Sequence, residues 1–200
     1  MSIGTRIADA LILRAQKTPY FHLDGYMNRW WLFRLWREGE HYAKVCGRIH
    51  EILRSDSDRH CHDHPWPYVS IILRGGYWEV REFPLTTDAE RRRATRAARR
   101  ATSSTVATLG PDLVLRTTTW HGPGSIIFRR ANDRHRLVLR HFYESPQYGT
   151  SPTEVPSWSL FITGPKAQSW GFYTETGFVN WRKYPAAAEN NNLQSKQAAE

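Results

Sequence analysis

Apolar and polar positions along this chain change texture several times, and each change predicts an element. Over residues 5–17, Ile7, Ala10, Leu11 and Arg14 recur at helical spacing, and Pro19 follows where a helix has ended. From Tyr26 to Trp36 the chain turns dense in Trp, Leu and Phe with Arg29 and Arg34 interspersed, a strand texture. Ala43–Leu53 is a second strand candidate, followed by the polar turn Ser55-Asp56-Ser57-Asp58. Pro67–Phe83 reads as strand, Gly75-Gly76 turn and strand. Further strands are expected at 105–109, 112–120, Ser125–Phe128, Arg134–Phe142, Ser159–Thr163, Ser169–Thr174 and Phe178–Tyr184. Residues 84–104 interrupt the series. Thr87 with Glu90 forms a potential capping box ahead of an Ala/Arg run, so this insert is expected to be a helix or a disordered loop. Residues 185–200, with Ala186-Ala187-Ala188 and Asn190-Asn191-Asn192, read as a disordered tail. Many short strands at regular spacing imply a mainly β sandwich or jelly roll with a short N-terminal helix. The domain reading is a helical extension over 1–25, one β domain over 26–184 that contains the 84–104 insert, and the tail.

Composition sharpens this only in part. Aromatic residues make up 13% of the 200 positions, which suits pleated surfaces. No apolar run approaches the length of about 18 residues that marks a membrane-spanning helix. Asp9, Arg14 and Lys17 flank Leu11-Ile12-Leu13, unlike a signal peptide, so the expected location is the cytoplasm. Cys46 and Cys61 are the only cysteines, too few for a disulfide framework. The formal charge of +9 is mostly arginine, with Arg91, Arg92, Arg93, Arg96, Arg99 and Arg100 concentrated in the insert. Such a cluster fits a solvated basic segment, or a nucleic-acid contact supported by Arg29, Arg34, Arg129 and Arg130, although no nucleic-acid motif accompanies it.

The candidate chemistry lies in histidines. His62 and His64 are two apart, so in an extended chain they share one face. In Arg134-His135-Arg136-Leu137-Val138-Leu139-Arg140-His141 the alternation puts His135 and His141 inward and the arginines outward. Three neutral imidazoles suit Fe, Mn, Ni, Cu or Zn and leave open positions on the ion. Around them Glu79 is a candidate ligand or acid/base group, Tyr68 a donor to a metal-bound ligand, and His121 a substrate contact. His60 is in phase with His62 as an alternative fourth ligand, Asp63 should point away, and His22 and His50 carry no signal.

These residues resemble the two motifs of the cupin superfamily. His62-x-His64, three residues, Tyr68, six residues, Gly75 has the spacing of its first motif, with Tyr68 where the family has a glutamate. Gly124, five residues, Arg130-x-Asn132, two residues, His135 has the spacing of the second, with Arg130 and Asn132 in place of Pro and Gly. The chain is more similar still to uncharacterised cupin-like proteins of phages and prophages, over roughly residues 26–184. The shared segments include His62-Asp63-His64-Pro65-Trp66, Ile72–Glu79 and Trp170-Gly171-Phe172. The resemblance implies a jelly-roll barrel with His62, His64 and His135 as ligands of a divalent metal, foremost Fe with Mn, Ni or Zn as alternatives. Glu79, Tyr68 and His121 are the expected catalytic groups. The expected function is a metal-dependent enzyme, Fe(II) dioxygenase-like or isomerase-like, acting on a small molecule, and homodimers through Tyr26–Trp36, as many cupins form, are expected. The alternatives are a non-catalytic ligand-binding cupin and a phage accessory protein that contacts nucleic acid through its Arg-rich insert.

Overall fold

The structure, a computed structural model, describes residues 2–35, 44–56, 60–100, 105–110, 113–142 and 153–184. The tail lies outside these residues, as do Ser57 and Asp58 of the expected turn.

Helix α1 (Ile3–Ala15) starts two residues earlier than the apolar spacing alone suggests, because the Ser2 hydroxyl accepts the Thr5 N–H and caps it. It is followed by strands β1 (Met27–Leu35), β2 (Val45–Ile52), β3 (Tyr68–Arg74) and β4 (Tyr77–Pro84). The insert is a helix, α2 (Asp88–Arg99), and its Thr87/Glu90 capping box is formed in both directions. Then come β5 (Thr105–Leu109), β6 (Val114–His121), β7 (Ile126–Arg129), β8 (Arg134–Leu139), β9 (His141–Phe142), β10 (Thr153–Glu154), β11 (Ser157–Thr163), β12 (Gly171–Thr174) and β13 (Gly177–Asn180). The expected strand Arg134–Phe142 is broken at Arg140, and β9 turns away to pair with β10. The expected strand Phe178–Tyr184 ends at Asn180, whose side chain caps a single 3-10 turn, Trp181–Lys183.

One sheet has the order β1-β2-β11-β3-β7 and the other β5-β6-β4-β8, all pairs antiparallel. The extended segment at His62 continues the second sheet beyond β8: His62 N–H donates to His135 C=O at 2.8 Å and His135 N–H to His62 C=O at 2.9 Å. A bridge from His62 to Phe172 then brings in β12 and β13. Count the strands β2, the His62 segment, β3, β4, β6, β7, β8 and β11 as first to eighth. The sheets then run first-eighth-third-sixth and second-seventh-fourth-fifth, which is the double Greek key of a jelly roll. β1 and β5 are edge additions. The fold is therefore a mainly β jelly-roll sandwich with an N-terminal helix. Among the described residues no helix is long and apolar enough to cross a membrane.

The facing surfaces of the two sheets are graded. At one end Ile52, Ile72, Tyr77, Ile127, Leu137 and Leu139 form an apolar core, each aliphatic side chain worth roughly 1.5–3 kcal/mol when buried. Two or more residues along the same strands, the inward positions become His50, Ser70, Glu79, Arg129 and His135. The opposite face of the first sheet carries a second cluster, in which Ile12 and Ala15 of α1 cover Trp30 and Ile49. Trp30 also stacks on Trp158 at 5.3 Å, so this ring of β1 is engaged within the chain.

The Gly75-Gly76 turn needs both glycines. Gly75 has φ +69°, and a Cβ there would lie 2.3 Å from the Pro156 carbonyl oxygen; at Gly76, with φ +137°, it would meet the Trp120 ring. The segment read as a polar surface turn is partly interior. Ser55 and Asp56 are buried, and Asp56 accepts from the Leu137 N–H at 3.0 Å and from the Tyr26 hydroxyl at 2.5 Å. Ser55 Oγ accepts the Leu139 N–H at 2.7 Å. These two side chains complete the free edge of β8 below His62, which keeps His135 in register. An Asp56→Ala variant strands the buried Leu137 N–H, and urea denaturation should show a loss of about 1–3 kcal/mol.

Candidate metal centre

Each of the three histidines reaches the site by a separate route. His62 and His64 lie on the extended segment between β2 and β3, held by the His62–His135 bridge and by His64 N–H donating to the Ala131 carbonyl at 2.9 Å. His135 is the second residue of β8, on the face that also carries Leu137 and Leu139. Their ring centroids form a near-equilateral triangle with sides of 5.2, 5.0 and 5.0 Å. One ligand atom from each ring falls within 4.8 Å of the others. An ion about 2.0–2.1 Å from each nitrogen needs the donors within roughly 4 Å of one another, so a small inward shift of the rings would let this neutral nitrogen set hold a divalent first-row metal. His64 Nε2 and His135 Nε2 face each other at 2.8 Å, and the Tyr68 hydroxyl is 3.3 Å from the same His135 atom.

Glu79 does not stand among these atoms. It is 1% exposed and sits behind His135, on the inward face of β4. Oε1 accepts from His135 Nδ1 at 3.0 Å and from Arg129 Nε at 2.8 Å; Oε2 accepts from His121 Nε2 at 3.0 Å and from the Arg129 terminal nitrogen. A carboxylate on Nδ1 makes that nitrogen the donor and leaves the Nε2 lone pair pointing into the triangle. Burial alone would push the Glu79 carboxyl up, but Arg129 and the two imidazoles hold it well below the usual range. Both oxygens of this carboxylate are thus occupied by donors from three side chains. His121 is held on Glu79, and Tyr68 is buried with its hydroxyl at the triangle. Burial and the nearby Glu79 charge keep that phenol protonated.

The remaining histidines are elsewhere. His60 Nδ1 meets the Tyr184 hydroxyl at 2.8 Å. His141, expected inward, is 40% exposed in its side chain and faces Glu154 at 3.6 Å, because the break at Arg140 reverses the alternation. Asp63 is buried, not a surface group. It accepts from Gly171 N–H (2.9 Å), the Tyr173 hydroxyl (2.9 Å) and Gln168 Nε2 (2.8 Å), and so pins β12, whose Phe172 packs on His62 at 5.6 Å. The α2 arginines are partly structural as well. Arg93 donates to Asn132 and Asp133 in the turn before His135, and Arg81 donates to Asp133 at 2.9 Å.

Two functional candidates escaped the sequence reading. The sequence offers Arg129 only as a nucleic-acid contact, yet it pairs with Glu79. His50 is buried, stacks on Phe161 at 4.7 Å and lies close enough to His64 to affect its charge. The inward parity of β2, which alternates His50 with Ile49, was the available signal.

No protein-family profile matches the chain, and no curated protein matches it. Solved structures resemble it at low identity. The DMSP lyase DddQ from Ruegeria pomeroyi DSS-3 is 12% identical, with 88% of this chain and 71% of that chain covered and a TM-score of 0.46. A cupin-2 domain from Rhodospirillum rubrum is 11% identical, with coverage of 88% and 86% and a TM-score of 0.41. An oxalate decarboxylase from Bacillus subtilis is 9% identical; this chain spans 38% of its length, at a TM-score of 0.43. The jelly-roll assignment stands on the strand order and the site on its geometry. Together they define the class: a jelly-roll protein with a partly buried three-histidine cluster backed by a buried carboxylate.

Two outcomes follow. A Glu79→Gln variant leaves Arg129 buried without its anion, so denaturant melts should show a loss of about 3–5 kcal/mol. Burial, joined by neighbouring imidazoles at His64 and by Arg48 and Arg29 at His50, lowers both rings well below the usual 6.5. The unfolded chain therefore takes up protons that the folded one refuses. Stability should be full above pH 6.5 and decline as pH falls from there toward 5. Equilibrium unfolding across that range tests this, with a shallower decline expected in His50→Gln.

Proposed function

We propose that this chain is a cupin-type metalloenzyme in which His62, His64 and His135 hold a divalent transition metal and the jelly-roll interior receives a small molecule. The observation that carries this reading is the pairing of the triangle with Glu79. Convergent imidazoles alone could be a hydrogen-bonded cluster. A fully buried carboxylate fixing the outer nitrogen of one of them is the arrangement metal-ligating histidines characteristically have. The site contains no carboxylate ligand, and the Glu79 charge behind it is offset by Arg129. That balance disfavours hard cations and suits an ion that accepts neutral nitrogen donors, with iron foremost and Mn, Ni and Zn as alternatives.

Such an ion would act as a Lewis acid on a bound oxygen atom or, if redox-active, as an electron donor. The chain's own part is positioning. Glu79 holds the His135 ring and its tautomer, Asp63 keeps the aromatic wall of β12 over His62, and Tyr68 offers a protonated hydroxyl to whatever occupies the centre. Dioxygenase-like and isomerase-like chemistry are both compatible with this set. A cytoplasmic location and a homodimer through β1 remain part of the reading.

Elemental analysis of freshly purified protein is the test. Wild type should carry close to one equivalent of metal, and His64→Ala should lose most of it while retaining the β-sheet circular dichroism. Glu79→Gln should weaken metal affinity by about 10–100-fold. Metal content equal in wild type and His64→Ala would refute the proposal.

A further inference from the structure

The inward face of the first sheet continues past the histidine triangle and ends on an unmatched positive charge. From Tyr68 on β3 the next inward side chain is Phe161 on β11, with ring centroids 4.6 Å apart; His50 on β2 stacks on the far side of Phe161. Arg48, two residues along β2, faces the same way as His50 and is paired across the strands with Phe161. Two strand spacings and a two-residue offset, about 12 Å in all, separate the backbones of Tyr68 and Arg48.

Arg48 is 6% exposed. Its guanidinium lies over the rings of Tyr20 (5.1 Å), Trp31 (4.8 Å) and Trp66 (5.3 Å). Its one hydrogen bond is weak, from a terminal nitrogen to Cys46 Sγ at 3.4 Å, and Nε has no partner among the described residues. No carboxylate among the described residues pairs with it. His50 Nε2 is also buried without a hydrogen-bond partner. Aromatic faces attract a guanidinium but do not replace the anion it has lost water to meet. Trp66 comes two residues after His64, so the segment that carries two of the triad histidines also walls this cation.

We infer that Arg48, with His50 beside it, is an anion-receiving site, and that the protein binds a small monocarboxylate whose apolar body lies along Phe161 toward the histidine triangle. A single unmatched positive charge fits a monoanion, and aromatic walls fit an apolar body. The orientation toward the triangle rests on the metal-centre reading; the anion site itself does not.

The experiment is calorimetric titration of the full-length protein, metal-loaded and chelator-treated, with propionate, with its neutral counterpart propionamide and with inorganic phosphate. Propionate should bind saturably in both preparations, at least tenfold more tightly than either other probe. Arg48→Met should cut propionate affinity at least tenfold and leave metal content unchanged. It should also raise the melting temperature of the ligand-free protein, since it removes a buried charge without an anion. Arg48→Lys should retain part of the affinity. Equal binding of propionate and propionamide, or tighter binding of phosphate, overturns the inference. A lower melting temperature for Arg48→Met overturns it too, because it marks Arg48 as a packing residue. Propionate binding that survives chelation while His64→Ala leaves metal content untouched would sustain the anion site and reject only the metal centre.

Discussion

One buried carboxylate sets the interior of this protein. Glu79 brings an acidic group to where water is excluded, and the cost of that is met only because Arg129, His121 and His135 all turn their donors toward it. Arg129 ends β7, His121 ends β6, Glu79 sits on β4 and His135 is the second residue of β8, so the one carboxylate joins strands from both sheets. It also orients the histidine triangle. By accepting from Nδ1 of His135 it turns the other nitrogen toward His64 and Tyr68. The sandwich and the triangle therefore share a single electrostatic anchor.

The division of the interior follows from the same geometry. Strands that begin or end with polar inward residues continue, two positions at a time, into Ile52, Ile72, Ile127, Leu137 and Leu139. The apolar end supplies folding free energy, and the polar end is left to be satisfied by specific pairs. Asp56 and Ser55 close the edge of β8 from below, and Asp63 ties β12 from the side. Each of these short polar side chains accepts main-chain N–H groups that a β-ladder would otherwise have to satisfy.

The large arginine content has a similar explanation. Guanidinium groups lie over aromatic rings at Arg29, Arg34, Arg48, Arg54, Arg81, Arg134 and Arg182. Arg93 and Arg81 converge on Asp133. Part of the formal charge of +9 therefore has partners within the fold, as at Arg29, Arg48, Arg81 and Arg93, while Arg91, Arg92, Arg96 and Arg99 of α2 and Arg100 after it stay exposed.

How much was legible in the sequence follows from the range of the forces involved. Local alternation and turn chemistry located most of the strands, the Gly75-Gly76 hairpin and the capped start of α2, because those depend on neighbours within a few residues. Spacing put His62 and His64 on one face and His135 inward, and the structure brings the three within ligand distance of one another. The side of the sandwich that a lone polar residue faces was not legible. Glu79 stands out in the sequence as a candidate ligand or acid/base group, but its partners Arg129, His121 and His135 come from other strands; His50 and Arg48 look unremarkable until Phe161 and Trp66 pack on them. His141 shares its alternation with His135 and still lies outside the interior, since the strand breaks at Arg140 and β9 pairs with β10. The order of residues determined the elements and the identity of the three imidazoles. Only tertiary structure decided which charges would be buried together, because desolvation and pairing depend on which strands become neighbours, and that is fixed by long-range topology.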